Sequence, residues 1–144
     1  MTNGEILNYN KIIKNLIDYA TDINALVKFR LLGMLKQFEP IVQNYEKVRE
    51  DYITKHGSTD EAGRFGIFPP KQNEDETDED FKNRVTEYEN ILKNFNTALD
   101  EILNSESNIE IKKFKYTEIM DAGIPSDYLV AIYDLIEEWL GGIE

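Results

Sequence analysis

Apolar side chains recur along the chain in two long, regular stretches. Val27, Leu31, Met34, Phe38, Ile41, Tyr45, Val48 and Tyr52 step by four and three in strict alternation. That is the a/d spacing of a helix that lays one seam on a partner. At 1.5 Å per residue the stretch predicts about 39 Å of helix. Phe81, Val85, Tyr88, Leu92, Phe95, Leu99 and Ile102 repeat the pattern, for about 33 Å. The expected fold is therefore mainly α: a long antiparallel, coiled-coil-like helical hairpin over about 24–56 and 78–104. Setting Tyr52 opposite Phe81, Val48 opposite Val85 and Phe38 opposite Phe95 pairs rings with rings and aliphatics with aliphatics. The heptad repeat leaves this register open by seven residues. Phe38 and Phe95 then belong to the stability core.

Two further helices brace the hairpin. Ile6, Tyr9, Ile13, Leu16 and Ala20 share a face of a helix over about 4–20, opened by Thr2 or Asn3, with Glu5 placed to complete a capping box on Thr2. Pro125 and Ser126 open a last helix, about 126–140, with Leu129, Ile132, Ile136 and Trp139 on one face and Gly141 and Gly142 at its end. Thr77 is the expected cap of the second hairpin helix, and Gly57 a left-handed stop after the first. Pro40 breaks the local rule, since a proline inside a helix removes a backbone bond. The heptad phase nevertheless runs unbroken from Phe38 to Ile41, which predicts a kinked but continuous path.

Residues 57–76 show no helical period, and connections this long are usually functional or disordered. Their apolar half contains Phe65, Ile67 and Phe68. It reads either as a short strand pairing with 109–116 in a small two-stranded patch, or as an aromatic loop that docks on a partner. The stretch 109–116 alternates with one change of parity between Ile111 and Phe114, as a bulged strand or an extended arm does. The acidic half and the start of the next helix place Glu74, Asp75, Glu76, Asp78, Glu79 and Asp80 in seven residues. Acids there complement the helix dipole. Clustered carboxylates can also occupy a basic groove shaped for nucleic acid.

Composition narrows the chemistry. The chain has 144 residues, the size of one domain, with 41% hydrophobic and 31% charged residues. It has no cysteine and one histidine, His56, so disulfides, thiolate metal sites and multi-histidine sites within one chain are excluded. His56 sits at a helix C-terminus, where it serves as a cap. No glycine pattern matches a phosphate or dinucleotide loop, and no serine lies in a nucleophile elbow. The reading is therefore not an enzyme, with no cofactor and no metal. The net charge is −12, with residues 58–108 carrying 13 acids against 5 bases. Such a surface disfavours nucleic acid and anionic membranes as direct partners. No apolar stretch is long enough for a membrane span and none resembles a signal peptide, so a cytoplasmic location is expected.

The richness in Ile, Asn, Tyr and Lys over Arg and Ala points to a low-GC genome. The run Asn44 to Gly57, the segment Asp60 to Phe65, then Phe81 and Ile109 to Ile111 resemble a pattern in small proteins of tailed phages that infect low-GC Gram-positive bacteria. The resemblance spans about residues 5–120 and the family has no assigned function. It implies a phage-encoded protein-interaction module, an assembly or virion accessory or an adaptor, working in the host cytoplasm on a host or phage protein. An acidic inhibitor of a host nucleic-acid-binding or defence protein is the alternative, and an unrecognised enzyme the third. Self-association is compatible with either of the first two.

Overall fold

The computed structural model describes residues 1–137 and is mainly helical. Its long helices are α1 (Asn3–Tyr19), α2 (Ala25–His56) and α3 (Asp78–Asn104). A two-stranded antiparallel sheet pairs β1 (Ser58–Thr59) with β2 (Phe65–Gly66). Short helices follow: α4 (Tyr116–Ile119), α5 (Ser126–Ala131) and a 3-10 turn at Tyr133–Leu135. The described residues group into two compact units, one of residues 1–42 and 105–137, the other of residues 43–104. Helix α2 contributes to both.

The first unit holds a dry core. Ile6, Tyr9, Ile13 and Leu16 of α1 pack with Val27, Leu31, Met34 and Phe38 of α2 and with Phe114, Ile119, Ile132 and Leu135. The Thr2 cap forms as expected: its hydroxyl accepts from the Glu5 amide at 3.2 Å, and Glu5 accepts from the Thr2 amide at 2.8 Å. The Ser105 carbonyl accepts the Asn3 amide, and the Met1 carbonyl accepts the Ser107 amide and hydroxyl. Helix α2 starts on Asn24, whose side chain accepts from the Leu26 and Val27 amides.

An arginine closes this unit. Arg30 lays its guanidinium over the Phe114 ring, 4.1 Å from the centroid, and donates to Glu118 and to the carbonyls of Lys112 and Lys113. One side chain thus ties the 109–115 segment to α2. That segment is the extended arm rather than a paired strand; its one bridge joins Phe114 to Ile136. The Lys115 amide and Arg30 hold the Glu118 carboxyl below the usual carboxylate range. In the core, Tyr9 donates to Asp134 at 3.1 Å, and burial with this bond pushes its phenol up to about 12.

Several expectations need correction. The helix expected over 126–140 ends at Ala131, because Ile132 leaves helical geometry with φ −105° and ψ 17° before the 3-10 turn. Trp139, Gly141 and Gly142 lie outside the described residues. Gly57 is not left-handed; the positive-φ glycines among the described residues are Gly63 and Gly123. Gly57 is needed for close approach instead, since a Cβ there would run into the Ile53 carbonyl oxygen. Helix α2 is continuous through Pro40. The hairpin register is moved by two heptads: Tyr52 stacks on Phe95, with centroids 4.9 Å apart, and its hydroxyl donates to the Ile91 carbonyl. Phe95 is the residue that the expected register gave to Phe38, and Phe38 is buried among the residues of the first unit's core.

Candidate functional site

The residues singled out by sequence lie in the second unit, where α2 ends, the chain makes its hairpin and α3 begins. The hairpin is short because its turn is self-contained. The Asp60 carboxylate accepts from the Arg64 amide at 2.8 Å and pairs with the Arg64 guanidinium at 2.9 Å. Gly63 takes φ +79°, a conformation that costs glycine nothing, and turns the chain back. Ser58 then pairs with Gly66 and Thr59 with Phe65. Strand β2 therefore pairs with 58–59 and not with 109–116. Local closure of a short loop outcompetes a distant strand, because loop entropy grows with the length closed.

This turn presents Phe65, which is 55% exposed. Ile67 and Phe68 are half-buried, and the Phe68 ring lies against Gly66. The three apolar candidates therefore differ: Phe65 is displayed and the other two are half-buried. Beside them is a cleft of about 580 Å³ lined by Ser58, Asp60, Arg64, Phe68, Lys71 and Arg84, among others.

The acidic run is not one feature either. Glu76 is half-buried and is gripped by Arg84, whose Nη1 reaches its two oxygens at 2.6 and 2.8 Å. That bond holds the Glu76 carboxyl below its ordinary value of 4.5. Glu76 also accepts from the Asn73 amide, and Arg84 reaches the Lys71 carbonyl. Asp78 accepts from the Gln72 amide group. Thr77 caps α3 as expected, its hydroxyl accepting the Asp80 amide at 3.2 Å. Glu74, Asp75, Glu79 and Asp80 are exposed. Glu76 is thus a structural clamp with its charge matched, and the exposed acids flank it.

Arg84 escaped the sequence reading. It stands eight residues after Glu76, across a loop-to-helix boundary, where no periodicity relates the two. Its signal was that of one of few bases in the most acidic stretch of the chain. His56 lies in the last turn of α2 with its ring 4.5 Å from that of Tyr52, a packed position next to the hairpin. Among the described residues no three His, Asp or Glu side chains are grouped to hold a metal ion, and no helix is long and apolar enough to cross a membrane. Chemically, the site offers an aromatic ring and unpaired carboxylates to a surface. Comparison with protein-family models, curated proteins and solved structures finds no match for the chain.

Proposed function

We propose that the protein is a non-catalytic protein-interaction module that engages its partner through the hairpin at 58–68. The observation behind this reading is Phe65: a large ring more than half exposed, on a turn braced by Asp60, Arg64 and Gly63. Displaying an aromatic ring on a rigid support lowers the entropy lost on binding, and such rings dominate interface energetics. The exposed acids Glu74, Asp75, Glu79 and Asp80 supply steering toward a basic partner. An assembly or adaptor role within this class rests on the resemblance to small tailed-phage proteins.

The acidic-inhibitor reading keeps a narrower basis. Of the six acids, Glu76 is committed to Arg84 and Asp78 to Gln72, so a phosphate mimic has Glu74, Asp75, Glu79 and Asp80 to work with. Paired capture experiments separate the two readings. The wild type identifies the partner, and each variant is then titrated against it. Phe65→Ala is expected to lower affinity at least tenfold, and Glu74→Gln with Asp75→Asn to reduce mainly the association rate and its salt dependence. A partner lost on the charge swap but held by Phe65→Ala would transfer the function to the acids.

A further inference from the structure

Helix α2 is apolar on two opposite faces over its first four turns. At 100° per residue, Val27, Leu31, Met34 and Phe38 fall within about 60° of arc, and these are the buried ones. Ala25, Leu26, Phe29, Leu32 and Gly33 occupy an arc of about 120° on the other side. There Leu26 is 68%, Phe29 74% and Leu32 46% exposed. An arc that wide is what a helix normally turns toward a core. Nothing lies within 4 Å of the place a Cβ would take on Gly33.

The order of these residues says what fits there. Read from either end, the stripe is small, Leu, Phe, Leu, small: Ala25, Leu26, Phe29, Leu32, Gly33. A two-fold interface requires that residue i meet j while j meets i. An antiparallel pair centred on Phe29 does this. Phe29 meets Phe29, Leu26 meets Leu32, and Ala25 meets Gly33, where two small residues let the backbones approach. Charge selects the same sense. Lys36 continues the stripe beyond Gly33, and Asp22 sits in the turn just before α2; both are exposed. The antiparallel arrangement brings Lys36 of one chain toward Asp22 of the other, whereas a parallel one sets lysine against lysine. A cleft of about 310 Å³ between Phe29, Gly33 and Gln37 on one side and Glu110 and Lys112 on the other leaves room for the second Phe29 ring.

We propose that the exposed face of α2, Ala25 to Lys36, binds a second copy of this chain in an antiparallel two-fold dimer centred on Phe29. The inference uses no residue of the hairpin and stands or falls separately from the partner reading. A single helix pair is smaller than a standard interface, so the dimer is weak, with a dissociation constant of order micromolar.

Sedimentation equilibrium from about 1 to 500 µM tests it directly, against the chain mass of 16.8 kDa. The mass is expected to rise toward twice that value. Phe29→Glu places like charges on the axis and is expected to give a monomer throughout the range, with unchanged helix content by circular dichroism. Asp22→Lys and Lys36→Glu are each expected to weaken association, and the double exchange to restore it. The chain has no cysteine, so Phe29→Cys is expected to give a disulfide-linked dimer on mild oxidation. Leu26→Cys is expected to link to Leu32→Cys in a mixture more readily than to itself. A wild type that stays monomeric to 500 µM overturns the proposal. So does a dimer that survives Phe29→Glu, and so does failure of Phe29→Cys to cross-link in a chain that dimerises.

Discussion

The two units use the same kinds of residue and arrive at different interiors. Every buried apolar side chain among the described residues belongs to the unit of residues 1–42 and 105–137. The unit of residues 43–104 has none: the seam of α3 is half-buried throughout, and Val48 on α2 is 40% exposed. Yet α2 carries one unbroken heptad seam through both. The difference lies in what converges on the seam. In the first unit α1, α2, the Phe114 arm and the closing turns surround Val27 to Phe38 from several directions. In the second, two helices and a two-stranded hairpin face one another, and so small an assembly leaves much of its surface wet. A heptad specifies a face; the number of elements that cover it sets how dry that face becomes.

The sharpest way to break this comparison is to delete a ring from each seam. Phe38 is fully buried, and Phe38→Ala is expected to cost about 3–5 kcal/mol. Phe95 is half-buried and stacks on Tyr52. Phe95→Ala is expected to cost less than half as much, about 1–2 kcal/mol, the stacking and part of the area burial. Chemical denaturation of the two variants measures both. Equal losses would mean that the second unit is as dry as the first.

The glycines give a second contrast. Gly123 has φ +80°, and a Cβ there would strike the Asp22 carbonyl, while Gly63 has φ +79° with open space around it. Left-handed geometry alone costs a non-glycine residue about 1–2 kcal/mol. Gly63→Ala is expected to lose that much. Gly123→Ala adds a backbone collision between two packed turns and is expected to lose about 2–4 kcal/mol. Similar losses in thermal or urea melts would show that the 122–124 turn yields more easily than its packing implies.

What the residues disclose follows the range of the forces involved. The spans of α1, α2 and α3, the Thr2 and Thr77 caps and continuity through Pro40 are set within a few residues and are legible locally, whereas the helix expected over 126–140 stops at Ala131. The register was not readable, because one heptad looks like the next; only the ring of Tyr52 on Phe95 decides it. The strand at Phe65 was recognised but its partner was not, since Ser58 and Thr59 carry no strand pattern of their own. At the candidate site Phe65 could be picked out as an apolar loop residue, and its exposure is set by the hairpin that carries it. The Glu76–Arg84 clamp was hidden, because it joins a loop to a helix. Arg30 was hidden by distance along the chain: its partners Phe114 and Glu118 are more than 80 residues away in sequence.

Proton linkage separates the units at alkaline pH. The folded first unit raises the Tyr9 phenol from 10.0 to about 12, by burial first and the bond to Asp134 second. The neutral phenol is the form that the fold favours. Its contribution is complete below pH 10 and is lost as the pH climbs toward 12. Tyr9→Phe removes the group. At pH 8 the variant is expected to be less stable than wild type by about 1 kcal/mol, the worth of one hydrogen bond. That gap is expected to narrow by pH 11. A gap that stays constant or widens would contradict the raised phenol.

In the other unit acid acts at Glu76, and only locally. Glu76 titrates below its ordinary 4.5 because the Arg84 hydrogen bond favours its charged form. Its contribution is present above pH 4.5 and disappears as the pH falls through the lowered value. The group is near the surface, and such pairs contribute little to global stability. The place to look is therefore the amide of Asn73, which donates to Glu76 at 3.2 Å. Its exchange, corrected for the intrinsic rate, is expected to accelerate several-fold on acidification below pH 4. The amide of Ile132, in the dry core of the first unit, donates to the Tyr128 carbonyl and is expected to keep its protection. Arg84→Gln is expected to reproduce the Asn73 acceleration at neutral pH with little change in melting temperature. If Asn73 stays protected in Arg84→Gln, the 71–77 segment is held by its backbone bonds and the Gln72 contacts, and Glu76 rejoins the exposed acids as a candidate for binding.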